Sequence, residues 1–204
     1  MKHIILCMNL FLLVACGSTK NVVTAPPAPK IINLALTAEG DVNKYIGLDY
    51  GIRLNIKDGR ANSRVLQKFD ASATYLPQVT VNPEILSFTS ESIRRYMRTM
   101  GFNLDADVST DYMLSITLKE FNLSYLSGIG WAATVQFAVQ AHDQNRVLVY
   151  PNVTAIGRAN RAGSSQDFAM GTQTLNMAYA NALKDIDWDR IAFFLKKASS
   201  PKLE

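Results

Sequence analysis

"DYMLSITLKEFNLSYLSGIGWAATVQFAVQAHDQ", residues 111–144, decides the architecture. Tyr112, Leu114, Ile116 and Leu118 alternate with smaller or polar residues, so one face of this segment is apolar with period two. Phe121, Leu123 and Tyr125 continue the pattern on the opposite parity. A single extra residue near positions 119–120 restores all seven to one face, which predicts a β-bulge there. Trp131, Ala133, Val135, Phe137 and Val139 then alternate with Thr134, Gln136 and Gln140. The "SGIG" between the two runs (127–130) has the glycines of a hairpin turn. After a turn at residues 143–145, "QNRVLVYPNVTAIGRAN" supplies a further strand. Three consecutive antiparallel strands therefore form the centre of the fold.

Working outward, "YIGLDYGIRLNIKDGR" (45–60) places Ile46, Leu48, Tyr50, Ile52, Leu54 and Ile56 on one parity and predicts one long strand ending at Asp58 and Gly59. "IINLAL" (31–36) and "TYLPQVTV" (74–81) predict shorter strands, with Pro77 placing the second at an edge or a bulge. "NPEILSFTSESIRRYMRTMGF" (82–102) predicts a helix. Asn82 is its expected N-cap, Pro83 its first residue and Gly101 its stop, with Ile93, Tyr96, Met97 and Met100 on one stripe. At the other end, Gly171, Leu175, Ala178, Ala182 and Ile186 share a helical face, and Asp187 can cap a following helix carrying Trp188, Ile191 and Leu195. The expected class is α+β: a mainly antiparallel sheet of about five to six strands with two main helices packed on one face.

The chain opens with Lys2 and His3 and an apolar run from Ile4 to Ala15 broken only by Asn9. A basic start, a run of this length and a small residue before the cut describe a secretory signal. The run is too short to span a bilayer, which takes about 20 apolar residues. Leu13, Val14, Ala15 and Cys16 resemble the lipobox of bacterial lipoproteins, and Cys16 is then the acylated N-terminus of the mature chain. The competing reading is an ordinary signal in which Cys16 is incidental. Gly17, where Asp resembles an inner-membrane retention signal, favours the outer membrane. Two or more acyl chains give durable attachment where one gives marginal attachment.

The expected division is a signal peptide at 1–15, a lipidated cysteine and Pro-rich linker at 16–30, one domain at 31–199 and a tail at 200–204. Pro26, Pro27 and Pro29 favour extended polyproline II, so residues 17–30 reach about 40 Å at full stretch. Hydrophobic residues make up 48% and charged residues 19%, an ordinary globular composition. Loss of residues 1–15 leaves 189 of the 204 residues and lowers the formal charge from +4 to +3, too mild a value to indicate nucleic acid. Cys7 leaves with the signal and Cys16 goes to lipid, so the mature chain carries no thiol for a disulfide, a metal or a nucleophile.

The lipobox, the strand ending "LNIKDGR", the helix ending "RRYMRTMGF", the hairpin "LKEFNLSYLSGIGWAATVQFAVQ" and the C-terminal helix follow in an order that resembles the YajG-type lipoproteins. The Asp-x-Arg at Asp58 and Arg60 matches that family's pattern after its first long strand. The resemblance implies an α+β envelope lipoprotein and carries over no catalytic activity.

The sequence offers few groups for chemistry. His142 is the single histidine of the mature chain and lies beside a turn, which disfavours a Ser-His-Asp arrangement. Asp105, Asp107 and Asp111 lack the glycine and late glutamate of a calcium loop. Asp185, Asp187 and Asp189 read as helix-end and capping residues. Asp58 and Arg60 are weak ligand candidates against a locked turn with a local ion pair. Arg94, Arg95 and Arg98 form a basic strip that either binds phosphate or carboxylate or is a solvated helix face. "SYLSGIGW" (124–131) is unusual, because Tyr125, Leu126, Ile129 and Trp131 crowd a hairpin tip. They either contact a partner or fold back over the end of the sheet. The resulting expectation is a non-enzymatic, membrane-anchored periplasmic module, without cofactor or metal, that binds an envelope protein at this tip. The alternative is a lipid- or glycan-binding accessory of an envelope transport system.

Overall fold

The computed structural model describes residues 28–36, 38–46, 48, 50–69, 77–104 and 112–199. Cys16, the rest of the leader, most of the linker, the tail and Asp105, Asp107 and Asp111 lie outside the described residues. The elements in chain order are β1 (Lys30–Asn33), β2 (Ile52–Asp58), β3 (Leu66–Phe69), β4 (Val79–Asn82), α1 (Ile85–Thr99), β5 (Tyr112–Leu126), β6 (Gly130–Asp143), β7 (Leu148–Arg161), α2 (Phe168–Asp185) and α3 (Trp188–Ser199).

The expected class holds, and β5, β6 and β7 form an antiparallel meander as the short turns between them require. Register shifts between Leu118 and Glu120, which places the bulge at Lys119. Leu114, Ile116, Leu118, Phe121 and Leu123 are consequently all fully buried on one face. The other edge of β5 is parallel, which the alternation did not reveal. β2 runs beside residues 112–118 of β5 and β3 beside residues 123–125. The bulge falls between them, where the loop after β2 is tied down by the Gly59 amide donating to the Leu118 carbonyl at 2.9 Å. β1 and β4 pair in parallel as a separate two-stranded sheet. The Asn176 side chain of α2 holds it, accepting from the Ala35 amide and donating to the Asn33 carbonyl.

The long strand expected over 45–60 is shorter. Tyr45 and Ile46, its expected first residues, lie in a turn instead, because the end of α1 needs donors for its last carbonyls. The amides of Asn43 and Tyr45 donate to the carbonyls of Thr99 and Met100, each at 2.8 Å, and Ile46 is left exposed. Gly101 closes the helix with φ of +90°, and a side chain there would press on Ile46. The N-cap is Glu84, not Asn82. Asn82 is committed to β4, where its carbonyl accepts from the Leu34 amide at 2.8 Å. The Glu84 carboxylate accepts from the amides of Leu86 and Ser87 at 3.1 and 2.8 Å. These bonds, that to Ser87 foremost, hold its pKa below the usual glutamate range.

A depressed folded-state pKa stabilises above the unfolded value and is lost as pH falls through the folded one. Glu84→Ala should therefore cost about 1 kcal/mol in denaturant unfolding near neutral pH. The gap between the two proteins should shrink in acid; a gap that persists there would show that the charged cap is not its source.

All three helices lie on the buried face of the sheet. α2 approaches closest, its Ala178 and Ala182 seated over Gly157 of β7. α1 packs through Phe88 and Ser92 on Tyr179, whose hydroxyl shares a short hydrogen bond with Ser92 and whose ring contacts Phe121 and Phe137. α3, capped by Asp187 as expected, brings Trp188 onto Tyr96 and Phe102.

Candidate functional site

The β5–β6 turn is built from Leu126 to Gly130, with the Ile129 amide donating to the Leu126 carbonyl at 3.0 Å. Gly128 and Gly130 have φ of +81° and +95°, a backbone that residues with side chains rarely adopt. A side chain on Gly130 would also strike the Arg161 carbonyl.

The four candidate residues of the tip separate. Trp131 is fully buried, and its Nε1–H donates to the Ser164 carbonyl at 3.1 Å. Its ring lies edge-on to Phe168 and Tyr125, at 5.1 and 5.3 Å between centroids, and presses on Gly171. Tyr125 is half-buried and donates its hydroxyl to the Gly163 carbonyl. Phe69 at the end of β3 completes the cluster, 5.8 Å from both Tyr125 and Phe168. Trp131 is thus core, because α2 begins beside the hairpin and Gly171 leaves room for an indole. Leu126 is half-buried, and Ile129 is 55% exposed at the crest. Lys30, where β1 begins, sets its ammonium 5.7 Å from the Phe168 ring centroid. Sequence reasoning missed Lys30, Phe69 and Phe168 here, because the contacts join segments far apart in the chain.

Asp58 and Arg60 are brought together, but on each other. Arg60 donates Nε and Nη2 to the two Asp58 carboxylate oxygens at 2.9 and 2.7 Å, and its amide donates as well. The Arg60 side chain thereby holds the Asp58 carboxyl below its usual range. Both faces of this fork are committed to the turn. On α1, Arg94 is half-buried and Arg95 and Arg98 are exposed. Arg95 borders a groove of about 400 Å³ with Leu36, Ala38, Tyr96 and Thr99, which Arg94 and Arg98 do not line.

Among the three late aspartates, Asp187 caps α3 and Asp185 accepts from the Ile156 amide of β7. Asp189 accepts from Lys44 at 2.9 Å and from the Tyr45 hydroxyl at 2.8 Å, and the Lys44 bond foremost lowers its pKa. His142 ends up near the end of β6 with a buried Nδ1 that has no hydrogen-bond partner. No group of three or more potential metal ligands meets among the described residues, and no described helix is long and apolar enough to cross a membrane.

The opposite face of the sheet forms a second surface. Met113, Ser115, Thr117, Asn122 and Ser124 of β5 and Ala132, Thr134, Gln136, Ala138 and Gln140 of β6 point away from the buried side chains. All ten are uncharged. Charges border them as Arg53 and Lys57 on β2, Arg158 on β7, and Lys119 and Glu120 at the bulge. No described helix packs on this face.

No family model matches the chain, and no curated protein matches it. Solved structures do share its fold. Protein XCC0632 from Xanthomonas campestris, described as a DUF330 protein, superposes with a TM-score of 0.60 at 15% identity, covering 83% of this chain and 99% of its own. An uncharacterised protein superposes with a TM-score of 0.51 at 10% identity, covering 80% and 99%.

Proposed function

We infer that this chain is a lipid-anchored, non-enzymatic binding module of the cell envelope, held by Cys16 on the periplasmic side of the outer membrane and engaging an envelope protein. The observation that carries the binding reading is the open sheet face. Solvated strand faces ordinarily carry charge, whereas here eight half-buried positions on the two central strands, with Ser115 and Ala138 buried among them, offer hydroxyl, amide and methyl groups. Such a face suits a partner surface of the same uncharged, hydrogen-bonding kind, because its centre can be covered while the bordering charges stay in water. The lipobox at Cys16 supports the address.

Two measurements test this reading. Cells labelled with a radioactive fatty acid should transfer label to the wild-type chain and not to Cys16→Ser; equal labelling would remove the anchor. A photo-cross-linker placed at Asn122 should capture an envelope protein, and Thr134→Glu with Gln140→Glu should abolish that capture without lowering the melting temperature. Capture that survives both charges would place the partner elsewhere.

A further inference from the structure

The hairpin tip and the start of the described chain lie at one end of the molecule. Lys30 sets its ammonium over Phe168, Phe168 packs on Trp131, and Trp131 directly follows the turn that exposes Ile129. The tether from Cys16 therefore enters the domain beside the crest of the β5–β6 hairpin. On that geometry, and resting on the lipid anchor proposed above, the structure assigns a membrane-contacting role to the tip: Leu126 and Ile129 enter the bilayer interface and seat the domain with its hairpin toward the lipid.

The chemistry fits that occupant. The crest is apolar, and Ile129 has no role in the core. Half-buried Tyr125 sits directly behind it, the amphipathic ring type that favours the membrane–water boundary. Lys30 and Lys68 are exposed at the same end, one at the start of β1 and the other paired with Ser124 near the tip. They place positive charge next to the crest, as an anionic headgroup layer requires. Asp167, the N-cap of α2 nearby, is occupied by that helix, accepting from the Met170 amide.

Residues 17–30 span about 40 Å at most when extended. A contact too weak to hold a free domain is favoured when an anchor beginning next to it keeps it at high effective concentration. Seated this way, the long strands stand away from the membrane, and the uncharged sheet face is turned sideways toward neighbouring envelope proteins.

The test uses the full lipidated chain in protein-free vesicles of phosphatidylethanolamine and phosphatidylglycerol. With Cys16 acylated, Ser127→Cys provides a single thiol at the tip and Asn145→Cys one at the far end of β6, each carrying an environment-sensitive fluorophore. Lipid-borne quenchers should act several-fold more strongly on position 127 than on 145, and a water-soluble quencher in the reverse order. Ile129→Ser should sharply reduce the difference while the melting temperature stays nearly unchanged. Equal quenching at both positions in chains that float with the vesicles would overturn the tip contact and leave the anchor intact. Chains that fail to float would overturn both, since the tip depends on the tether. A tip that stays aqueous in vesicles yet cross-links to a protein in cells would identify a protein, not lipid, as its occupant.

Discussion

Gly157→Ala should be among the most damaging single-methyl additions this protein can receive. A Cβ at position 157 would lie 1.9 Å from the Ala178 carbonyl oxygen and 2.2 Å from the Ala182 amide nitrogen. Both are backbone atoms of α2, so no side-chain rotation relieves the overlap. The helix must be displaced from β7, and with it go the packing of Tyr179 and the hydrogen bonds from Asn181 to the Arg158 carbonyl and from the Ile156 amide to Asp185. Overpacking a well-filled core costs about 1–3 kcal/mol and occasionally more; contact with rigid backbone puts this case at the upper end, about 3 kcal/mol. For a domain of this size that lowers the melting temperature by about 6–12 °C. Gly163→Ala is the matched control, because the nearest atom to its added methyl is the flexible Cγ of Met170 at 3.3 Å. Similar melting temperatures for the two variants would mean that α2 does not sit on β7 in the way described.

Trp131→Ala should also act on stability, not on partner binding. The ring is fully buried between Phe168, Tyr125 and the α2 backbone at Gly171. Removing such a side chain costs about 3–5 kcal/mol. It also leaves the Ser164 carbonyl without the indole donor. Trp131→Phe keeps most of the ring volume and should lose about 1 kcal/mol, the ordinary net value of one hydrogen bond. Denaturant unfolding of the two variants separates these contributions. If Trp131→Ala melts with wild type, the side chain is a surface contact and the aromatic cluster does not support the tip.

The antiparallel centre of the fold was legible in the sequence because its information is local. Alternation along β5 and β6, the parity change that marks the bulge at Lys119, the Gly128–Gly130 turn and the stripe of Ile93, Tyr96, Met97 and Met100 each follow from side-chain geometry over a few residues. Tyr45 and Ile46, at the head of the expected strand, lie in a turn instead, because Asn43 and Tyr45 satisfy carbonyls at the end of a helix that begins some forty residues later in the chain. The parallel placement of β2 and β3 on one edge of β5 is likewise invisible to period two, which states what is buried and not beside which strand or in which direction.

The candidate sites divide along the same line. The sequence by itself determined that residues 13–16 resemble a lipobox, that the hairpin tip is rich in apolar residues and that Asp58 and Arg60 flank a glycine at the end of a strand. The tertiary structure decided which of these groups are free. Arg60 closes on Asp58, and Trp131 enters a socket opened by Gly171, a residue forty positions away. Lys30 comes to rest over Phe168, so β1 begins at the end of the domain where Ile129 is exposed. Burial is a property of what packs against a side chain, and those neighbours are supplied by segments that only the folded chain brings together.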